Sequence, residues 1–400
     1  MSGQTRALGD VRIVDLTDER AIYGVKLLAD LGADVIRPEP LEGDALRSRG
    51  PMRADTTDKN ESSLWHAFFA SNRRFFSTDP DTPKGAAQLQ TLVTKADLVL
   101  LSSDAFGTKC IDIEQARHDN PALVSVECTS FGKTGPWKDY LAPDLVAGAL
   151  GGSVASTGDA DTPPLKTFGE LNFMVSGCYV AIAALAALRH SRETGEGQNV
   201  HVPVHQCIAS CLEHVFFWHW YNHMFPTAEG KALERRGSLH WTNLYVVMQA
   251  IGGSIMVMPT PDVDRQLAWL IEEGAAADLI DSKYQEPEHR DEFLSRMMDV
   301  LRDWVATKDV EELFFEAQER HAPYGWVLPI EKLAINPQLQ ARNWWTTYRM
   351  GDRDIQGPGA PYRFGGTPWT MAAYESVGSD SAVVLQELGW DANGNEEDSA

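Results

Sequence analysis

A repeating order of short apolar strand, amphipathic helix and short apolar strand constrains this chain more than any single residue does. Val11-Arg12-Ile13-Val14-Asp15-Leu16 reads as the first strand. Tyr23 to Asp30 reads as a helix, with Val25, Leu27, Leu28 and Leu31 suited to one face. Gly32 supplies the stop, because the residue just past a helix end often needs a positive φ. Val35-Ile36 then opens the next strand. The order recurs: helix Gly85 to Lys95 precedes strand Leu98 to Leu101, and helix Ile111 to His118 precedes strand Leu123 to Val126. Such alternation builds parallel sheets, so the expected class is α/β with a Rossmann-like, doubly wound core.

Further along, Phe173 to His190 predicts a long Ala-rich helix. Ser191 to Gln198 (SRETGEGQ) predicts a turn, Asn199 to Val204 a strand, and residues 212–224 an aromatic and His-rich helix. A hairpin follows, Tyr245 to Met248 and Ser254 to Met258 around Gly252-Gly253. Helices are expected at Arg265 to Glu273, Arg290 to Ala306 and Val310 to His321, and extended chain at Tyr324 to Pro329. The acidic end, Asn393 to Ala400, is expected to be disordered. At 400 residues the chain exceeds what one core usually holds, so two domains are expected.

Composition narrows the function. A net charge of −22 argues against nucleic acid and anionic membranes, which select basic surfaces. A few Arg and Lys in one cleft still suffice for a phosphorylated ligand. Cys110, Cys128, Cys178, Cys207 and Cys211 are odd in number and form no C-x-x-C pair, which points to reduced thiols and a cytoplasmic setting. Met1 to Asp10 has no apolar signal core. The longest apolar run, Val175 to Leu188, falls short of the ~20 residues of a membrane span and reads as a buried helix.

Several familiar motifs are absent or incomplete. The turn after the first strand, Asp15-Leu16-Thr17-Asp18-Glu19-Arg20, has no glycine, so a dinucleotide site there is disfavoured. Gly132-Lys133-Thr134 lacks the upstream glycine of a phosphate loop, since position 127 is Glu. His201/His205 and His219/His223 have i,i+4 spacing, but no acidic or Cys partner stands at metal spacing, and Val-Pro-Val interrupts the first pair. No metal site is expected. His214 and His240 and the aromatics at 216–221 read as packing or interface residues.

Taken in order, a set of short motifs resembles the family III (CaiB/BaiF-type) CoA-transferases over roughly residues 9 to 390. They are Leu28-Ala29-Asp30-Leu31-Gly32-Ala33-Asp34-Val35-Ile36, Glu39-Pro40, Gly43-Asp44 with Arg47, Asn72-Arg73-Arg74, and Ala96-Asp97-Leu98-Val99. Ser130-Phe131-Gly132-Lys133-Thr134-Gly135-Pro136, Pro143-Asp144-Leu145, Ala149-Leu150-Gly151-Gly152 and Thr194-Gly195-Glu196-Gly197-Gln198 follow. Asn336-Pro337-Gln338-Leu339 with Ala341-Arg342, and Thr367-Pro368, close the set.

The resemblance implies a large Rossmann-like CoA-binding domain from residues 1–225 and 326–400, a smaller α/β domain at 226–325, and two chains threaded as interlocked rings. It also implies chemistry. An active-site Asp attacks an acyl-CoA, forms a mixed anhydride and then carries CoA as a thioester before an acceptor carboxylate takes it. No resident cofactor is implied, and the CoA thioester is substrate. The family Asp lies in a Gly-Asp-x-Asn-like stretch, here Gly169-Glu170-Leu171-Asn172. Glu170 therefore stands at the nucleophile position, one methylene longer than Asp, where a displacement of about 1 Å costs on the order of 100-fold in rate. The structural alternative is a carboxylate satisfying backbone N–H groups at a helix start. Arg20, Asn172, Gly252 and Gly253 are the implied substrate contacts. For Arg20 the alternative is a salt bridge with Asp18 or Glu19. The family's phosphate-binding Arg loop reads Ser102-Ser103-Asp104-Ala105-Phe106-Gly107 here, with no basic residue. Arg37, Arg47, Arg73, Arg74 and Lys133 are the remaining candidates for CoA.

Three readings follow. The chain is a CoA-transferase using Glu170, acting as a homodimer. Or it is the non-catalytic subunit of a heteromer whose related partner carries the Asp. Or, with least support, it resembles the α-methylacyl-CoA racemases, whose His before Asp144 is Pro143 here and whose second Asp is Glu170.

Overall fold

The computed structural model describes residues 6–58, 62–158, 162–221, 224, 246–259 and 262–390. Tyr245, His223, His240 and the acidic end at Asn393 to Ala400 lie outside the described residues. The chain divides into two compact units. The first holds Met1–Ser153, Lys166–Glu213 and Pro337–Ala400, and the second Val154–Leu165 and His214–Asn336. The main dividing points therefore stand at 213/214 and 336/337, beside the 225/226 and 325/326 expected. The 154–165 segment of the second unit has no counterpart in the sequence reading.

The first unit is a parallel sheet covered on both faces. Its elements are β1 (Arg12–Leu16), α1 (Ile22–Asp30), β2 (Asp34–Glu39), α2 (Leu64–Phe69), β3 (Arg73–Ser77), α3 (Pro83–Thr94), β4 (Leu98–Ser102), α4 (Ile113–Asp119), β5 (Val124–Thr129), α5 (Asp144–Leu150), α6 (Leu171–Thr194), β6 (Asn199–Pro203) and α7 (Val204–Ser210). All six strands run parallel in the order β3-β2-β1-β4-β5-β6. Central strands are apolar on both faces because both are covered. On one face Ile13, Leu98, Leu100 and Val126 pack with Val25 and Leu28 of α1 and Ala184 and Leu188 of α6. On the other, Val14, Ile36 and Val99 pack with Leu89 and Leu92 of α3 and with Val384 and Leu388 of a late helix, Ser381–Leu388.

Two glycine positions explain why α1 and α6 meet. A Cβ on Gly24 would run into the carbonyl of Gly177, so the helices cross backbone to backbone. The stop signal at Gly32 holds, with φ of 98°. The turn expected at Ser191 to Gln198 needs correction. Ser191 to Thr194 form the last turn of α6, which ends at Gly195 with φ of 78°. At 24 residues α6 is thus long and apolar enough to cross a membrane by length and composition, although half of that apolar window is buried within the chain. Strand β3, helix α2 and an antiparallel hairpin, Thr346–Met350 with Arg353–Gly357, were not read from the sequence.

Beyond its 154–165 segment, the second unit takes in nearly all of α8 (Glu213–Tyr221). It continues as a small antiparallel sheet of β7 (Val246–Ala250), β8 (Gly253–Val257) and β9 (Gly325–Trp326). Helices α9 (Val263–Glu272), α10 (Arg290–Val305) and α11 (Val310–Glu319) cover it through Trp269, Met297, Leu301, Trp304 and Leu313.

Candidate active site

In an open parallel sheet, ligands bind beyond the carboxyl ends of the strands where the winding reverses. Here β1 leads outward to β2 and β3, and the chain then returns to place β4 on the other side of β1. The reversal lies between β1 and β4. Three strand ends meet there: the Asp18 to Arg20 turn after β1, Ser103 after β4 and Ser130 after β5. They open on a cavity of about 610 Å3 that Lys133, Tyr140 and Phe173 also line.

Arg20 is the side chain that ties these ends together. Its Nη1 donates to Ser103 Oγ at 3.0 Å and Ser130 Oγ at 3.3 Å, and its Nε donates to Asp18 Oδ2 at 2.9 Å. Burial alone would depress the guanidinium's proton affinity, but Asp18 outweighs it and holds the group charged. Arg20 therefore lines the cavity while its side chain is largely committed to the turn, through the Asp18 pair read as the alternative.

Helix α6 begins beside α5, and its first turn divides two acids by role. Asp144 does the capping. Its Oδ1 accepts from the Phe173 N–H at 3.1 Å, and its Oδ2 accepts from Asn172 Nδ2 at 3.0 Å and lies 3.3 Å from Lys166 Nζ. Glu170 occupies the N-cap position yet makes no side-chain cap hydrogen bond. Its carboxylate turns instead to Arg49, whose Nη2 donates to Oε1. Arg49 in turn lies over the Trp65 ring, 4.6 Å from its centre. The Glu170 side chain keeps 25% of its surface exposed and Arg49 33%. The helix-start role that competes with a chemical role for Glu170 is thus filled by Asp144. Pro143, immediately before it, offers no proton and leaves the racemase pattern without its base.

Other expected site residues fall elsewhere. Asn172 is buried with both amide ends used, since Ser153 Oγ donates to its Oδ1 at 3.0 Å. That makes it a brace of α6 and corrects the substrate-contact expectation. Arg37, Arg47 and Arg73 are also buried. Arg37 Nη1 sits 2.9 Å from Asp15, Arg73 Nε donates to Asp15 at 2.7 Å, and Arg47 Nε donates to Glu39 at 2.9 Å. Arg37 pairs with Asp44 as well, and Arg47 donates to Tyr374 Oη. Burial would raise the Asp15 carboxyl, but Arg37 and Arg73 hold it below the usual carboxylate range. These three arginines hold the fold, and the expectation that they meet CoA phosphate is revised. Arg74 pairs with Asp34 at 2.8 Å and with Glu387 at 2.8 Å. Asp34 opens β2, so this cluster lies at the amino edge of the sheet, opposite Arg20, and the same revision applies. Lys133 lines the cavity, half-exposed and 2.7 Å from Glu127. Gly252, with φ of 84°, lies in the β7–β8 turn of the second unit, and Gly253 opens β8 opposite Ala250.

His201 lies on β6 and His205 in the first turn of α7, so no helix presents both. Among the described residues one surface trio, the exposed Glu286 and Glu288 with the half-buried His289, has metal-like spacing, far in sequence from these motifs.

Sequence reading chose Arg47 and passed over Arg49. Nothing in Arg47-Ser48-Arg49 separates the two. The short 3-10 turn at Ala45–Ser48 turns one inward to Glu39 and leaves the other on Glu170.

Fold and site define an open α/β protein with a cavity at the carboxyl edge of its sheet and a partly exposed acid at a helix start. The model of CoA-transferase family III matches residues 8–377, and the chain belongs to that family. It is 30% identical to succinyl-CoA:(R)-benzylsuccinate CoA-transferase subunit BbsE of Thauera aromatica, covering 95% of this chain and 94% of that one. It is 28% identical to the succinate–glutarate CoA-transferase of Agrobacterium fabrum, with 97% of each covered. Among solved structures, a CAIB/BAIF family protein from Brucella suis shares the fold with a TM-score of 0.83 at 24% identity, over 96% of this chain and all of that one.

Proposed function

We propose that this chain moves CoA between carboxylic acids with Glu170 as nucleophile. One observation carries the reading: the carboxylate at the family's nucleophile position is accessible and released from helix capping, because Asp144 does that work. In the proposed sequence a Glu170 oxygen attacks the thioester carbonyl and the C–S bond breaks, giving a mixed anhydride and CoA thiolate. The thiolate attacks the glutamyl carbonyl. The donor acid departs, carrying the Glu170 oxygen, and a glutamyl-CoA thioester remains. The acceptor carboxylate attacks that thioester, and the thiolate then returns to the acceptor's carbonyl, which restores Glu170. Arg20 and Lys133 at the cavity supply positive charge for the incoming anions.

Succinyl-CoA is the donor to try first, since the Thauera relative's name carries it. The test is mass spectrometry of the Glu170 peptide after mixing the protein with succinyl-CoA. A CoA-sized adduct that disappears in Glu170→Gln is expected. An adduct-free Glu170 during turnover would overturn the reading.

A second reading is the non-catalytic subunit of a heteromer. The Arg49 contact on Glu170 favours it, as does the word subunit in the Thauera relative's name. Either way we propose a paired chain. Exposed Leu145, Val146, Leu150, Tyr179, Ile182 and Leu185 form an apolar face on α5 and α6 that suits a second copy or a related chain. Co-purification of a related Asp-bearing chain, with activity appearing only in the mixture, would select the heteromer. We place the protein in the cytoplasm on its free cysteines and expect no resident cofactor.

A further inference from the structure

We propose that Arg49 is the specificity-determining residue of this site, selecting acyl-CoA esters whose acyl group ends in a second carboxylate. This rests on Glu170 being the nucleophile. Arg49 differs from the arginines it resembles in sequence. Arg37 and Arg47 are buried, and each meets at least two partners in the protein interior. Arg49 is one-third exposed, and among the described residues Glu170 is the one acceptor its side chain bonds. A guanidinium has five N–H donors in a planar fork, so most of this one's capacity is unused. Its Cζ lies 4.6 Å from the centre of the Trp65 ring, a contact that uses none of its N–H donors.

The contact has a chemical consequence. A carboxylate tied to a guanidinium donates its electrons poorly, so Glu170 in its observed position is a restrained nucleophile. Freeing it without leaving Arg49 bare needs another anion. An acyl group ending in a carboxylate a few bonds from the thioester carbonyl brings one. Its distal carboxylate takes the fork in bidentate fashion. The reacting carbonyl then lies on the side where Glu170 is released. A neutral acyl group of the same length gives Arg49 no reason to leave Glu170.

The test compares succinyl-CoA with butyryl-CoA, which has the same carbon count and no second carboxylate. Calorimetric dissociation constants are measured on Glu170→Gln, which binds without reacting, and on Glu170→Gln carrying Arg49→Gln or Arg49→Lys. The single variant is expected to bind succinyl-CoA about 10- to 100-fold more tightly than butyryl-CoA, the range of a charge-assisted hydrogen-bonded pair. Arg49→Gln should erase that preference and Arg49→Lys should keep part of it. Equal affinity for the two esters in the single variant, or a preference that survives Arg49→Gln, would overturn the assignment. Glu170 fails separately: CoA transfer that persists in Glu170→Gln removes the nucleophile while leaving the binding comparison to judge Arg49.

Discussion

Two of the arginine–carboxylate clusters in the first unit do opposite work. Asp15, Arg37, Arg73 and Asp44 form one, between β1, β2 and β3. Glu170 and Arg49 form the other, at the start of α6. In sequence both are acids and arginines in apolar surroundings. In the interior cluster each charge meets two or more partners, and Asp15 and Arg73 have fully buried side chains. In the α6 cluster one contact joins two groups that stay in reach of solvent. A buried charge already held by two or more partners and shut off from solvent is out of a ligand's reach, and removing its partner is costly. A partly exposed charge with one partner can exchange it.

Variants sharpen this contrast in descending order of effect. Glu170→Gln should lower CoA transfer by at least about 1,000-fold, as loss of a nucleophile does elsewhere. Its thermal midpoint should stay near that of the parent, and a thermal scan beside the transfer assay reads both. Asp15→Asn should do the reverse. It leaves Arg37 and Arg73 without their shared anion and should cost about 3–5 kcal/mol of stability in urea titration.

The third effect is a pH dependence. His66 is buried, with Nδ1 2.6 Å from Tyr374 Oη and Nε2 3.7 Å from Asp44, too far for a hydrogen bond. Burial, with the nearby Arg47, pushes its pKa down to about 4 despite Asp44. The unfolded chain takes up this proton near 6.5 and the folded chain only near 4. Stability from this group is therefore complete above pH 6.5 and falls as pH drops toward 4, by on the order of 3 kcal/mol. Replacing His66 with Gln should flatten the urea-midpoint profile across that window. An unchanged slope would mean that another group governs it. Smallest is Arg74→Gln, which removes partly exposed pairs with Asp34 and Glu387 and should cost about 1 kcal/mol or less.

The contrast also shows what the sequence makes legible. The strand–helix order yielded β1, β2, β4, β5 and β6, because their apolar runs are bounded by turn residues. It missed β3, whose Arg73 and Arg74 look like solvated charge until Asp15 and Asp34 are placed beside them. It shortened α6, because Ser191 to Thr194 are polar where the helix surfaces. Glu170 was found through the order of motifs around it. Arg49 and the capping role of Asp144 were not, since each depends on contacts 121 and 29 residues away. Local pattern reports which face of an element is apolar. It does not report which of two neighbouring arginines turns inward.

Heavy oxygen tests the chemistry most directly. With an acceptor acid labelled with oxygen-18 in its carboxylate, each full turnover should leave one acceptor oxygen on the Glu170 side chain, and the peptide containing it should gain mass. Turnover that leaves that peptide at its natural mass, or puts the label on another carboxylate, would contradict the assignment of Glu170 as the atom donor.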